Sequence, residues 1–446
     1  MKKTKLVLIL SMLLVVIGLS TNVLAEDDIS YKIDEYLTIY ASMGTFNGTV
    51  LVAKDGDIII NKGYGKADFE LDVNNKNDSK YRIGSLTKQF TAAAILKLKE
   101  NGLLKLNDKI NNYVSSFSYG DQITIRNLLN HTSGIYDYTR SKDFRENMGN
   151  KVKLEEVINI FKDKELNFKP GTKYEYSNSN YLLLGYIIEN ITEKNYETYL
   201  KENILNPLDM NNTGFAYHDR IIKNRSKGYI LNPDGSKNNI YHDDATYAHG
   251  AGALYSTTLD LLKWDQALYT NKILSDSSLN EMFTIYKSNY GFGFKIDKLL
   301  DNKRYFHHGG TMGYTASINR FVDDKLTIIV LTNLNGTPIE KIVKDLSAIV
   351  FNKEYYIPKE YSLIKNNFNK YVGKYKMVSK REVIIKIIKD KYFIKLDRSP
   401  FFEMLPSGKD EFVVKVFAER VELSKDNKEI TIHHLNGTDH GVKIEE

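Results

Sequence analysis

Strand patterns stand at both ends of a long helical stretch, and this arrangement constrains the fold more than any other feature of the chain. Near the start, GTVLVAKDGDIIINKGYGKAD reads as two strands joined by the turn Asp55-Gly56-Asp57. An amphipathic helix over residues 29–43 precedes them. Residues 85–262 are mainly helical in pattern, with Gly- and Asn-rich loops between helices. Strand signals return at YGFGFKI (290–296), TASINRFVDD (315–324) and KLTIIVLTN (325–333), and a helix follows over 339–351. Strands so far apart in sequence share one core most simply as a single antiparallel sheet built from both chain ends, with a helical subdomain inserted. The expected class is α/β, an antiparallel sheet flanked by helices.

The pattern changes near Ile357-Pro358. From Tyr371 onward come short alternating segments: VGKYKM, EVIIKIIKDKYFIKL, FVVKVFA, RVELSK and EITIHHL. Turns such as Ser407-Gly408 and Asp426-Asn427 separate them. Residues 359–446 therefore read as a small all-β domain after a main domain over 26–355. The first 25 residues read as an export signal, with a basic start (MKKTK), a short apolar run (LVLILSMLLVVIG) and small residues at Val23-Leu24-Ala25. The expectation is a secreted or extracytoplasmic protein with no stable membrane span once the signal is cut, and an uncleaved N-terminal anchor is the alternative. Cysteine is absent, which excludes disulfides, a lipid-modified cysteine anchor, a cysteine nucleophile and cysteine-based zinc sites. The net charge is +6, and Lys2, Lys3 and Lys5 supply half of it, so no nucleic-acid partner and no anionic membrane surface are implied.

Chemistry-bearing residues fall into three stretches. In RIGSLTKQFTAAAILKLKENG (82–102), the segment Gln89 to Leu96 is uncharged and nearly all apolar, as in a helix buried within a domain. Lys88 in its first turn must find partners or lose its proton. Ser85 and Lys88, at i and i+3, share a face, and Ser85 lies where free N–H groups and the helix dipole favour developing negative charge. That suits a serine nucleophile with a desolvated lysine base. The same pair also reads as an N-cap and a solvated lysine, and Ser362 and Lys365 repeat the spacing.

In FKPGTKYEYSNSNYLLLGYIIENI, Tyr176 and Asn178 precede an apolar helix. The phenol can relay a proton to a leaving group. The amide can bind a substrate carbonyl or hold the lysine. The alternatives are a packing tyrosine and a capping asparagine, and Tyr269 and Asn271 repeat this spacing. In FHHGGTMGYTAS (306–317), Gly309, Gly310 and Gly313 let a substrate approach the backbone. An N–H there can complete an oxyanion hole with that of Ser85. A histidine can bind a substrate carboxylate or support proton transfer. A Gly-rich turn with surface histidines is the plain alternative, and a metal site lacks His-Glu-x-x-His spacing. The chain has no Gly-x-Ser-x-Gly elbow, no P-loop and no Gly-x-Gly-x-x-Gly signature.

Taken in order, these stretches resemble the serine β-lactamase and penicillin-binding-protein superfamily, and within it the branch of class C β-lactamases, D-alanyl-D-alanine carboxypeptidases and family VIII esterases. The motifs are Ser85-Leu86-Thr87-Lys88, Tyr176-Ser177-Asn178 and His307-His308-Gly309, with similar surroundings in KGYGKAD, TIRNLLNHTSGI, GAGALYSTTLDLLKW and YGFGF. The resemblance covers about residues 47–351. It implies the β-lactamase/transpeptidase-like fold and acyl transfer with no metal or organic cofactor. It makes Ser85 the acylated nucleophile and Lys88 the acceptor or shuttle of its proton. Tyr176 would be general base and later donor to the leaving group, and Asn178 a contact for substrate and lysine. His307 would stand where lysine stands in a Lys-Thr-Gly motif, and the N–H groups of Ser85 and Gly310 would form the oxyanion hole beside Gly309. That His-His-Gly replaces Lys-Thr-Gly favours D-amino-acid peptidases, esterases and low-activity penicillin-binding relatives over a β-lactamase. The implied substrates are small molecules or peptides with D-amino acids, peptidoglycan-derived ones among them, or related amides and esters. A penicillin-binding protein with little turnover and a class C-like β-lactamase are the alternatives. The C-terminal domain resembles the lipocalin-like β-barrels appended to some members.

Overall fold

The computed structural model describes residues 27–241, 243–359 and 368–445. The expected export signal, Ser362 and His242 lie outside the described residues. Six antiparallel strands form the main sheet: β1 (Gly48–Lys54), β2 (Asp57–Tyr64), β3 (Lys295–Leu299), β4 (Asn302–Thr311), β5 (Tyr314–Phe321) and β6 (Leu326–Thr332), in the order β3-β4-β5-β6-β1-β2. The two ends of the chain meet where β1 pairs with β6, Gly48 opposite Thr332. Both strands are apolar at nearly every position because both faces of the sheet are covered.

Alternation along β1 explains the two cores. Val50 and Val52 face a cluster with Tyr36, Leu37, Ile342 and Leu346, from helix α1 (27–42) and the C-terminal helix Ile339–Val350. Leu51 and Ala53 face the larger cluster of the inserted region, which holds helix α2 (Thr87–Glu100) and helix α3 (Asn178–Thr192). The helical subdomain therefore rests on one face of the sheet, and the site lies along that contact.

One expected strand is shorter than the sequence pattern suggests. YGFGFKI enters the ladder only at Lys295. Its first five residues pass tightly over neighbouring backbone. A Cβ on Gly291 would sit 2.4 Å from the Met282 carbonyl oxygen, and one on Gly293 would sit 2.9 Å from the Gln89 Cα. The short β3 ladder ends at Phe306, so the half of β4 from His307 to Thr311 is left free on that side.

Residues 373–445 form a closed barrel of eight strands, each paired antiparallel with its neighbours. EVIIKIIKDKYFIKL is a hairpin, turning at Lys389-Asp390 with both φ angles positive. The barrel interior is filled by its own side chains, among them Tyr375, Ile385, Ile394, Phe412 and Ile432, so it is a packed module. It meets the main domain through the Glu403 N–H, which donates to the Pro233 carbonyl at 2.9 Å, and through Tyr356, whose hydroxyl donates to Ser407 Oγ at 2.8 Å.

Candidate active site

Ser85 sits on a single 3-10 turn, Gly84–Leu86, that runs straight into α2. The helix buries Phe90, Ala92, Ala93, Ala94, Ile95 and Leu96 all round, which holds its first turn deep in the domain. Lys88 is fully buried there. Its Nζ donates to Ser85 Oγ at 3.0 Å, to Asn178 Oδ1 at 2.9 Å and to the Ala251 carbonyl at 2.7 Å. Burial pushes its pKa down to about 7, against a small upward pull from Asp137. Near neutral pH this amine is therefore available as a base.

Tyr176 ends the loop before α3, and its hydroxyl donates to Ser85 Oγ at 2.9 Å. Burial raises its pKa far above the ordinary value, so the phenol stays protonated. Its ring packs on His131 at 4.4 Å between centroids. Asn178 is the first residue of α3, and its Nδ2 donates to Asp137 Oδ2 at 3.1 Å. That bond fixes the amide so that its oxygen faces Lys88.

Strand alternation separates the two histidines of β4. His307 turns toward the cleft side, 6.1 Å from the Tyr176 ring between centroids. His308 turns away, with Nε2 2.9 Å from Glu340 Oε2 and Nδ1 3.0 Å from Ser317 Oγ. His307 is buried, and both its ring nitrogens are engaged: Nε2 with the Tyr290 hydroxyl at 3.2 Å and Nδ1 with the His308 carbonyl at 2.7 Å. Burial, and then the Lys88 charge, depress its pKa well below the usual histidine value, which keeps it neutral. A bare backbone is needed where β4 passes the serine. A Cβ on Gly309 would lie 1.9 Å from the Ile83 carbonyl oxygen, whereas one on Gly310 would point into open space. Ser85, Asn178 and Gly310 line a cleft of ≈ 380 Å³ whose far wall includes Tyr138, Phe144 and Tyr247.

Of the residues expected from the sequence, Ser85, Lys88, Tyr176 and Asn178 come together in one hydrogen-bonded group, and Gly309 and Gly310 pass beside it. His307 joins through ring packing, with no hydrogen bond to the serine or the tyrosine. Three contributors were not singled out from the sequence: Asp137, His131 and Tyr290. His131 and Tyr290 lie in TIRNLLNHTSGI and YGFGF, yet no spacing marks either as a reactive group. Their hydroxyl-to-Nε2 contact, 3.3 Å, links positions 159 residues apart.

A family model described as Beta-lactamase matches residues 38–349. The chain belongs to the beta-lactamase family. Relatives match over more of the chain than the family model does. A penicillin-binding protein of Bacillus subtilis is 29% identical over 421 residues, covering 87% of this chain and 92% of that one. The octameric penicillin-binding protein homologue from Pyrococcus abyssi superposes with a TM-score of 0.67 at 26% identity, covering 92% of this chain and 99% of that one. A D-stereospecific amidohydrolase from Streptomyces sp. superposes on this beta-lactamase-family chain with a TM-score of 0.59 at 27% identity, covering 68% of this chain and 94% of its own. The expected fold, a β-lactamase/transpeptidase-like domain followed by an all-β barrel, is the fold observed.

Proposed function

We propose that the protein is an exported serine hydrolase that forms an acyl-enzyme at Ser85 and acts on amides or esters of D-amino acids or short D-peptides. The observation that carries this reading is the position of Ser85 Oγ between Lys88 Nζ at 3.0 Å and the Tyr176 hydroxyl at 2.9 Å. Lys88 in its neutral form takes the hydroxyl proton as Oγ attacks the carbonyl carbon. Tyr176, held as a phenol, gives its proton to the departing nitrogen or oxygen and is reprotonated by the proton that Lys88 took from Ser85. Burial thus divides the roles that the motif alone would give to the tyrosine: the base is Lys88 and the donor is Tyr176. The N–H groups of Ser85 and Gly310 stabilise the oxyanion. Water then attacks the ester, its oxygen joins the acyl carbon while one of its protons passes through Lys88 to Ser85 Oγ, and the acid leaves.

The name of the Streptomyces relative supports an amide or peptide of D configuration. The cleft wall of Tyr138, Phe144, Met148 and Tyr247 suits an apolar or aromatic substituent. The basic start, apolar run and small residues of the first 25 positions support export. No described helix is long and apolar enough to cross a membrane. A second reading, a penicillin-binding protein that deacylates slowly, draws on the name of the Bacillus subtilis relative. It shares the Ser85 adduct and differs only in the adduct's lifetime.

The test is hydrolysis of p-nitrophenyl acetate by the purified protein and by Ser85→Ala. The proposal expects turnover that the substitution abolishes. Equal rates in the two proteins would overturn it. A single burst followed by an adduct lasting hours would favour the second reading.

A further inference from the structure

His131 grips the loop of Tyr176 on both sides of that tyrosine. Its carbonyl accepts from the Glu175 N–H at 3.0 Å, and its ring Nδ1 accepts from the Ser177 N–H at 3.3 Å. Tyr176 lies between those two amides, and its ring packs on the His131 ring at 4.4 Å between centroids. His131 makes both bonds from a left-handed backbone, φ 57°. Its ring reaches no atom of Ser85, so its effect on the serine passes through Tyr176, whose hydroxyl donates to Ser85 Oγ at 2.9 Å.

The proton positions follow from which partners can only donate or only accept. Nδ1 of His131 faces two N–H donors, Ser177 and Asn180 Nδ2 at 3.1 Å, so it carries a lone pair. The Asn180 amide is oriented by the Ser133 hydroxyl, which donates to its Oδ1 at 2.6 Å. Burial, and then the Lys88 charge, hold the His131 pKa well below the usual histidine value. The ring is therefore neutral and its one proton sits on Nε2, which faces the Tyr290 hydroxyl at 3.3 Å. At the other end, Nδ1 of the neutral His307 faces the His308 carbonyl, which only accepts. Its proton is therefore on Nδ1 and its lone pair on Nε2. The Tyr290 hydroxyl accepts from His131 and donates to His307 at 3.2 Å. Tyr290 is fully buried, so removing that hydroxyl would leave both histidines without a partner there.

We propose that His131 is the positioning residue for Tyr176, that Tyr290 locks it in its Nε2–H tautomer, and that His307 is the acceptor ending this chain rather than a group that binds substrate. With the tautomer reversed, an Nδ1–H would face the Ser177 N–H. Two donors in contact would push the Tyr176 loop away from Ser85 Oγ. Both nitrogens of His307 are spent in the chain, which leaves it no N–H to offer a ligand. The inference rests on the Ser85 hydrolase reading, with Tyr176 as leaving-group donor, and names what aims that donor.

The test is a series of aryl acetates from p-nitrophenyl to p-methoxyphenyl, which share an acyl group. A proton donor matters more as the leaving oxygen becomes more basic. Tyr290→Phe keeps the ring and removes the hydroxyl. The expected result is a loss of kcat/KM at least about ten-fold larger for the p-methoxyphenyl ester than for the p-nitrophenyl ester. His131→Asn, which suits the left-handed backbone, should steepen the dependence in the same direction, so either variant decides the matter if the other does not fold. Long-range proton–nitrogen NMR spectra of the unaltered protein, with isotope-labelled histidine, should show His131 protonated at Nε2 alone and His307 at Nδ1 alone. An equal loss along the series, or His131 protonated at Nδ1, would overturn the inference and leave the hydrolase reading standing. Absence of Ser85-dependent hydrolysis of every ester would overturn the hydrolase reading and this inference with it.

Discussion

Lys88→Met tests the idea that burial, rather than a special partner, sets up the base. The depression from 10.5 to about 7 is dominated by desolvation. The unfolded chain therefore binds this proton more tightly than the folded one. Stability is lowest below about pH 7, where both states are protonated, and rises with pH until the unfolded lysine also deprotonates near 10.5. The full shift corresponds to ~5 kcal/mol, of which roughly 4 remain at about pH 7.5 and roughly 2 at about pH 9. Methionine removes that charge penalty but leaves Asn178 Oδ1 and the Ala251 carbonyl without their donor, ~1–3 kcal/mol each. The two effects nearly cancel near neutral pH. Between about pH 7.5 and 9, wild type should therefore gain ~2 kcal/mol relative to the variant. Urea unfolding followed by tryptophan fluorescence reads this directly. Trp264 is the only tryptophan, is fully buried, and donates from Nε1 to Gln89 Oε1 at 2.9 Å, one residue from Lys88. It reports on the hydrolase domain and not on the barrel. A difference between the two proteins that stays flat over this range would mean that Lys88 is an ordinary ammonium in the folded state. The account of the base would then fail.

Asn178→Asp would put a carboxylate against Lys88 Nζ, now 2.9 Å from Asn178 Oδ1, and beside Asp137. The new charge should raise the lysine pKa by about a unit or more, so the acidic limb of the pH–rate profile for ester hydrolysis should move upward. An unmoved limb would mean that another group sets it. Gly309→Ala should separate the serine turn from β4, because the added methyl meets the Ile83 carbonyl at 1.9 Å. A stability loss of ~1–3 kcal/mol and a fall in acylation rate are expected, read by urea unfolding and ester turnover, whereas Gly310→Ala, with open space at its Cβ, should leave stability within ~1 kcal/mol of wild type.

Much of the fold was legible because the sheet imposes a local pattern. GTVLVAK and LTIIVLT lack strand alternation for the same reason that they pair, since both faces of the sheet are covered. YGFGF misled because its aromatic alternation imitates a strand, while the contacts that forbid a ladder come from Met282 and Gln89. In the barrel, FFEMLP and GTDHGVKIE were not recognised as strands. FFEMLP carries the buried Glu403 and ends in a proline, and GTDHGVKIE has two glycines in place of a regular alternation. At the site, Ser85, Lys88, Tyr176 and Asn178 stood out because spacing and context mark them. Asp137, His131 and Tyr290 act through contacts that exist only after folding. His131 even adopts a left-handed φ of 57°, which nothing in Asn130-His131-Thr132 announces. The neutral, fully engaged state of His307 likewise follows from Tyr290 and burial, not from the motif.

The most direct test of the central claim is peptide mapping after brief reaction with p-nitrophenyl acetate and acid quench. The account predicts one acetyl group, on the peptide containing Ser85, absent in Ser85→Ala and slow to form in Lys88→Met. An acetyl group on another residue, or one that persists in Ser85→Ala, would contradict it.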